Sequence, residues 1–186
     1  MTGRRTLPLL LLGTMLAGTA VMAAAAVTPV PSVDLDRYVG TWHEIARYPN
    51  RFQKNCARDT TAEYALRRSG ELTVTNRCTK ADGSAIEAVG IAKPRPGSAP
   101  GSATFKVRFA PKWLSFIPQV WGDYWILDLP DDYRYAVIGE PSRNYLWVLS
   151  RTAQLPDGDY DAAVRAAVRN GYDSARLVRT TQSARP

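Results

Sequence analysis

The 186-residue sequence predicts an all-β domain: an eight-stranded antiparallel up-and-down β-barrel with one C-terminal α-helix packed outside and a short final strand. Three observations carry this. Apolar residues recur with period two along most of the chain, turn signals fall at short intervals between the alternating runs, and one late segment switches to a helical period. Eight strands suffice to close a barrel whose interior fills with side chains or holds one small ligand.

The strands are expected near residues 40–47, 59–67, 72–79, 85–93, 103–109, 123–129, 133–139 and 145–151. Leu72, Val74 and Asn76 alternate with Thr73, Thr75 and Arg77, and Phe105, Val107 and Phe109 alternate with Thr104, Lys106 and Arg108. Both are patterns of half-buried strands. Ser69-Gly70, Asp82-Gly83, the Pro94–Ser102 stretch, Pro130-Asp131-Asp132 and Pro141-Ser142-Arg143-Asn144 supply the turns. The helix is expected at about 157–170, with Tyr160, Ala163, Val164, Ala167 and Val168 on one face, acids at its start and Gly171 as its stop. Leu177–Thr180 is the candidate ninth strand.

The first 26 residues read differently. Arg4-Arg5, an apolar run from Leu7 and a small-residue end at Ala23–Ala26 describe a secretory signal peptide, leaving residues 27–186 as one domain. The strongly apolar stretch, Leu7–Leu16, is short of the ~20 residues of a membrane span. The general secretory route fits, and the arginine pair also permits a twin-arginine route. Thr19 stands where a lipoprotein site needs its lipid-bearing cysteine, so lipid anchoring is not expected. The protein is expected to be exported, to a periplasm or the medium.

Composition excludes several chemistries. A single histidine, His43, leaves no His-rich zinc site, and two cysteines cannot build a cysteine-only zinc or iron–sulfur centre. No metal or cofactor is expected. Cleavage after Ala26 removes Arg4 and Arg5, bringing the charge of +7 to +5, and the remaining basic residues are scattered along strands. That is a solvated surface rather than a nucleic-acid face. In an exported chain Cys56 and Cys78 are expected to form a disulfide, worth ~3 kcal/mol. A two-residue turn at Ser69-Gly70 would not place them directly opposite, so the segment before the second strand must fold back.

Three segments together resemble a known family. Gly40-Thr41-Trp42-His43-Glu44-Ile45-Ala46-Arg47 looks like the opening signature of lipocalins, Asp132-Tyr133-Arg134-Tyr135-Ala136-Val137-Ile138 resembles their second motif, and Tyr145–Thr152 resembles the third. The resemblance covers residues 33–181 and is greatest to bacterial lipocalins and the related apolipoprotein D group. It implies a calyx with a helix against its wall, about 39–151 for the barrel, open at one end and holding a lipid or other small apolar molecule. The motif residues Gly40, Trp42, Asp132, Tyr133 and Arg151 are read as structural, with Trp42 plugging the closed end and the Arg151 guanidinium over its indole.

Strand parity nominates the ligand-facing set. It comprises Tyr64, Val74, Asn76, Phe105, Val107, Phe109, Tyr124, Trp147 and, less directly, His43. Asn76 would orient a head group or hold a water. His43 would make binding of an acidic ligand pH-dependent, unless its imidazole is simply bonded to a carbonyl or solvent. The segment Ala110–Trp121 is too proline-rich for a strand yet strongly apolar; Trp113 and Phe116 could pack under the rim, flap over the open end against ligand, or form a patch for a partner or membrane, for which Lys112 beside Trp113 is suited.

Two functions follow from these residues. The first is a non-catalytic carrier of a fatty acid, lysophospholipid or similar amphiphile, in cell-envelope lipid storage, transport or repair. The second is a lipid-modifying enzyme on the same calyx, with a free Cys56 as its main nucleophile, and envelope interaction through the apolar 110–121 loop is compatible with either.

Overall fold

A computed structural model describes residues 26–183. The expected signal segment lies outside the described residues apart from Ala26. Eight antiparallel strands form the barrel: β1 Gly40–Arg47, β2 Arg58–Leu66, β3 Leu72–Thr79, β4 Ala85–Pro94, β5 Thr104–Arg108, β6 Gly122–Asp128, β7 Tyr135–Gly139 and β8 Trp147–Ser150. Each pairs with its neighbour in sequence, β8 pairs with β1, and β1 pairs with β2 to close the sheet. Eight closed strands, the helix outside and the extra strand are the architecture the alternation predicts.

β1 and β2 pair only over Gly40–His43, opposite Tyr64–Thr61. Above that stretch the chain's own C-terminus stitches the seam. A two-residue strand β9, Val178–Arg179, pairs with Ala46 and Arg47 of β1. Beyond it the Thr180 amide donates to the Ile45 carbonyl at 2.9 Å and the Asp59 amide donates to the Thr181 carbonyl at 2.9 Å. The Gln182 amide group spans the gap, donating to the carbonyls of Glu44 and Thr60.

One end of the barrel is sealed. The four-residue helix α1, Leu35–Tyr38, runs beneath it, a turn that period-two alternation does not reveal. Gly40 takes φ +95°, a left-handed value that a side chain would strain. The Arg151 guanidinium lies 3.9 Å from the Trp42 ring centroid and donates to the carbonyls of Val39 and Arg37. Tyr133, itself at φ +60°, accepts the Asp34 amide through its hydroxyl and stacks under Arg37 at 4.1 Å. Asp132 holds Arg134 at 2.8 Å at the surface of the same end.

The barrel carries two cores, one on each face of its wall. Trp42, Tyr64, Leu72, Phe105, Ile126 and Leu149 pack inside. Ile45, Leu127, Val137 and Val148 pack outside, against helix α2, Asp157–Arg169. The helix begins with Asp157 and Asp159 and ends in a left-handed Gly171, with Tyr172 N–H bonded to the Ala167 carbonyl and Gly171 N–H to that of Val168. Its buried face is Ala163, Ala166 and Ala167; Val168, expected there, is exposed because the small alanines make the close contact and the docking axis runs between them. Tyr172 completes the joint, its hydroxyl donating to the Glu140 carbonyl and accepting the Glu140 amide.

The turn at Ser69-Gly70 and the end of the fifth strand differ from expectation, whereas the disulfide is as expected. Arg68–Gly70 is a three-residue connection closed by the Arg67–Glu71 hydrogen bond, so Tyr64 faces Val74 and the register differs by one from the two-residue turn. The Cys56–Cys78 disulfide is formed, with 5.5 Å between the Cα atoms. The segment before β2 folds back for it, the Ala57 amide reaching the Thr79 carbonyl. Strand β5 stops at Arg108, one residue short of Phe109.

A Cβ on Gly139 would stand 2.2 Å from the Tyr172 hydroxyl. Gly139→Ala is therefore expected to destabilise the protein by about 1–3 kcal/mol by urea unfolding. Restored stability in Gly139→Ala combined with Tyr172→Leu relative to the two single changes would identify this contact as the cause.

Candidate functional site

The inner face of the barrel is graded from one end to the other. At the sealed end Leu72, Val74, Ala92, Phe105, Ile126 and Leu149 are buried. One or two inward positions farther along each strand, Asn76, Val107, Tyr124 and Trp147 are half-buried, and Ala88, Phe109 and Gly122 are exposed. Inward residues reach solvent only through a mouth, so the barrel is a cup open between the loops 48–57, 80–84, 109–121 and 140–146.

Small side chains create the space in that upper half. Ala62, Asn76 and Ala88 lie in one cross-strand row, because Ala62 pairs with Asn76 and Asn76 with Ala88. Gly90 continues the small face of β4, and the Phe109 ring folds onto it: a Cβ on Gly90 would meet that ring at 2.7 Å. On the facing wall aromatics form a column, with Tyr145 stacked on Trp147 at 5.8 Å and Phe52 against Tyr145 at 5.6 Å. The cup thus has one wall of small residues and one of rings.

A polar network holds the aromatic wall. Gln53 accepts from the Trp147 indole N–H at 2.9 Å and from the Asn50 side-chain amide at 2.7 Å, and donates to Glu44. The Glu44 carboxylate, buried opposite Leu149, also accepts from the Thr180 hydroxyl and from Arg47 at 3.4 Å. Burial pushes its pKa up, against the lowering pull of Thr180, Gln53 and Arg47. One carboxylate so joins β1, the 48–57 loop and the C-terminal segment.

The expected ligand-facing residues separate into groups. Asn76, Val107, Phe109, Tyr124 and Trp147 come together around the cup. Tyr64, Val74 and Phe105 point inward but belong to the packed layer beneath it. His43 does not face the cup: it pairs with Thr61 and Ser150, on the opposite face from Trp42 and Leu149, because side chains alternate along β1. The basis for a histidine-controlled ligand site is removed. The side chain of Trp113 lies outside the described residues. Phe116 stands 77% exposed at the mouth.

The 110–121 segment forms two 3-10 turns, Lys112–Leu114 and Pro118–Val120. Trp121 leaves the cup altogether, lying with Lys93 at 4.1 Å and Arg108 at 5.2 Å from its ring centroid. Sequence parity does not nominate Glu44, Gln53, Ala88 or Gly90. The alternate small residues Ala88, Gly90 and Ala92 were the available signal for the last two; the glutamate and glutamine become site residues only through long-range contacts.

The folded protein holds the Glu44 proton more tightly than the unfolded chain. Its contribution to stability is present below the ordinary glutamate value and is lost as pH rises through the raised one. Glu44→Gln carries no such loss. Urea unfolding at pH 4 and pH 8 should show the wild type losing stability relative to E44Q on going to pH 8; a pH-independent difference would contradict the assignment.

A lipocalin-like domain model matches residues 33–182. The chain is 44% identical over 159 residues to temperature-induced lipocalin-1 of Arabidopsis thaliana, covering 84% of this chain and 83% of that protein. It is 35% identical over 181 residues to the outer membrane lipoprotein Blc of Escherichia coli strain K12, covering 94% and 96%. To mouse apolipoprotein D it is 29% identical over 158 residues, covering 81% and 77%. Among solved structures, insecticyanin from the tobacco hornworm Manduca sexta matches with a TM-score of 0.66 at 20% identity, over 87% of both chains. Lobster apocrustacyanin A1 matches with a TM-score of 0.62 at 20% identity, over 80% of this chain and 79% of that one. These two likenesses establish the fold alone. With three motifs, a closed eight-stranded barrel and a family match across nearly the whole folded region, this chain belongs to the lipocalin-like family.

Proposed function

We propose that the protein is an exported, non-catalytic carrier that holds a fatty acid, lysophospholipid or similar amphiphile in its cup and serves lipid storage, transport or repair in a cell envelope. The observation that carries this reading is the gradient along the inner face, from packed side chains at the sealed end to accessible apolar ones at the mouth. Burial of an acyl chain against Val107, Phe109, Tyr124 and Trp147 supplies ~25 cal/mol per Å² of apolar surface. The similarity to an outer membrane lipoprotein and a secretory-type leader favour an exported protein, and Thr19 at the place of a lipid-bearing cysteine is what favours an unanchored one.

The enzyme alternative loses its nucleophile. Cys56 is bonded to Cys78 and no cysteine is free. Thiol chemistry at that position is overturned.

A second role for the mouth has its own support. Phe52 and Phe116, 66% and 77% exposed, stand on two loops of the open end together with the exposed Arg51, Lys54 and Lys112. Exposed rings beside cations suit the interface of an anionic bilayer. The mouth would then meet the membrane that holds its ligand.

Two measurements test these readings. Titration with oleate or lysophosphatidylethanolamine should quench tryptophan fluorescence in the wild type, and Trp147→Ala, which loses most of an aromatic contact, should bind about tenfold more weakly or worse, measured by calorimetry. Absence of binding by both lipids would refute the carrier. Co-sedimentation with phosphatidylglycerol vesicles should fall several-fold in Phe52→Ser combined with Phe116→Ser and in high salt; equal recovery of wild type and variant would refute the membrane contact.

A further inference from the structure

Immediately beneath the cup, three tyrosines from three elements turn their hydroxyls toward one another. Tyr124 of β6 shares hydrogen bonds with Tyr38 of α1 at 2.6 Å and with Tyr64 of β2 at 2.8 Å. Tyr38 and Tyr64 are only 1% and 4% exposed, whereas the ring of Tyr124 remains half-buried on the cup side. The rings continue into a tilted aromatic layer: Trp42 to Tyr38 at 5.0 Å, Tyr38 to Tyr64 at 5.3 Å, Tyr64 to Tyr124 at 6.2 Å and Tyr124 to Phe105 at 6.3 Å. This layer crosses the barrel from β1 to β5.

The next inward row upward is Ala62, Asn76 and Ala88, while Gly90 lies opposite Val74 in the row of Tyr64 and Gly122 opposite Val107. Along β2 and β3 the inward side chain shortens from Tyr64 to Ala62 and turns polar from Val74 to Asn76.

We propose that the Tyr38–Tyr64–Tyr124 trio is the depth stop of the cup: an amphiphile enters tail first, the trio ends its acyl chain, and the protein thereby selects ligands by chain length. The inference rests on the carrier reading and adds to it a specificity-determining element. Two features make the trio a stop rather than ordinary packing. Its hydroxyls are engaged with each other across three separate elements, so no single ring can rotate aside without breaking a buried hydrogen bond. It also has no cation to offer a charged head group, since Arg151 is held over Trp42 and on the carbonyls of Arg37 and Val39. Burial accordingly pushes the Tyr64 phenol up to about 12 and raises those of Tyr38 and Tyr124 as well, the sign of surroundings that disfavour an anion. From the Tyr64–Val74 row to the rim at Cys78 the strand advances four residues, ~13 Å at ~3.3 Å each, which bounds the length of tail the cup can hold.

The test is a series of saturated fatty acids from octanoate to stearate, titrated by displacement of a fluorescent fatty acid. The wild type should tighten with length to an optimum and then level off or weaken. Tyr124→Ala should move the optimum to longer chains, with about fourfold tighter binding for each methylene newly buried. Tyr124→Phe, which keeps the ring, should leave the optimum in place. Ala88→Leu, at an accessible inward position, should move it to shorter chains, and this variant carries the test if Tyr124→Ala does not fold. An unchanged optimum in the folded variants, or wild-type binding without dependence on length, overturns the depth stop alone. A wild type that binds no member of the series overturns the carrier reading and the depth stop together.

Discussion

Closure of the sheet through the pairing of β1 with β2 is the constraint from which the other features follow. Once a strand belongs to a closed barrel, its alternate side chains are committed to an inside and an outside, and neither can be left unfilled without cost. That is why the protein carries two cores. The inner one excludes water from the sealed half, and the outer one exists because the apolar outward residues of β1, β6, β7 and β8 need cover, which α2 provides. Outward positions elsewhere are charged instead, as where Arg77 bridges Glu63 and Glu87 at 2.6 and 2.8 Å across three strands.

The closing pair is also short. It spans four residues, and the rest of the seam is held by a two-residue strand and by side-chain bonds from Thr180 and Gln182. Glu44 sits at this seam, and its carboxylate ties the wall of the cup to the loop that carries Gln53. A buried carboxylate is expensive unless hydrogen-bonded, and here each polar neighbour that satisfies it is also a contact between elements. The chemistry of one side chain and the integrity of the mouth are thereby coupled.

At the other end, stability and function divide the barrel between them. Arg151, Trp42 and the tyrosine trio consolidate the sealed half with rings and guanidinium contacts, while in the half above them one wall carries small residues, Asn76, Ala88 and Gly122, opposite the rings of Tyr145 and Trp147. The same strands supply both halves. A two-position step along β4, from Gly90 to Ala88, is enough to pass from packed interior to accessible cup.

Much of this was legible in the chain. The boundaries of β1 and β3, the eight-strand count, the late helix and the three family motifs follow from residues near one another in sequence, where period and turn chemistry act locally. Expectations missed where the answer lay in a neighbour: α1 is a single turn held by Tyr133 and Arg37, Val168 is exposed because the alanines dock, and the Ser69-Gly70 turn takes a third residue because strand register decides its length. Among the site residues, alternation placed Asn76, Val107, Tyr124 and Trp147 inward but said nothing of height along the barrel, so Tyr64 and Phe105 were not separable from them. His43 resembles a cavity residue in sequence and lies outside by register. The sequence by itself determined that this chain alternates, closes into a barrel with a late helix and carries the motifs of its family, because those are properties of local pattern and composition. Only the tertiary structure decided where the cup ends, which rings form its floor and which carboxylate holds its rim, because each of these is set by contacts between residues sixty or more positions apart, such as Tyr64 with Tyr124 and Glu44 with Thr180.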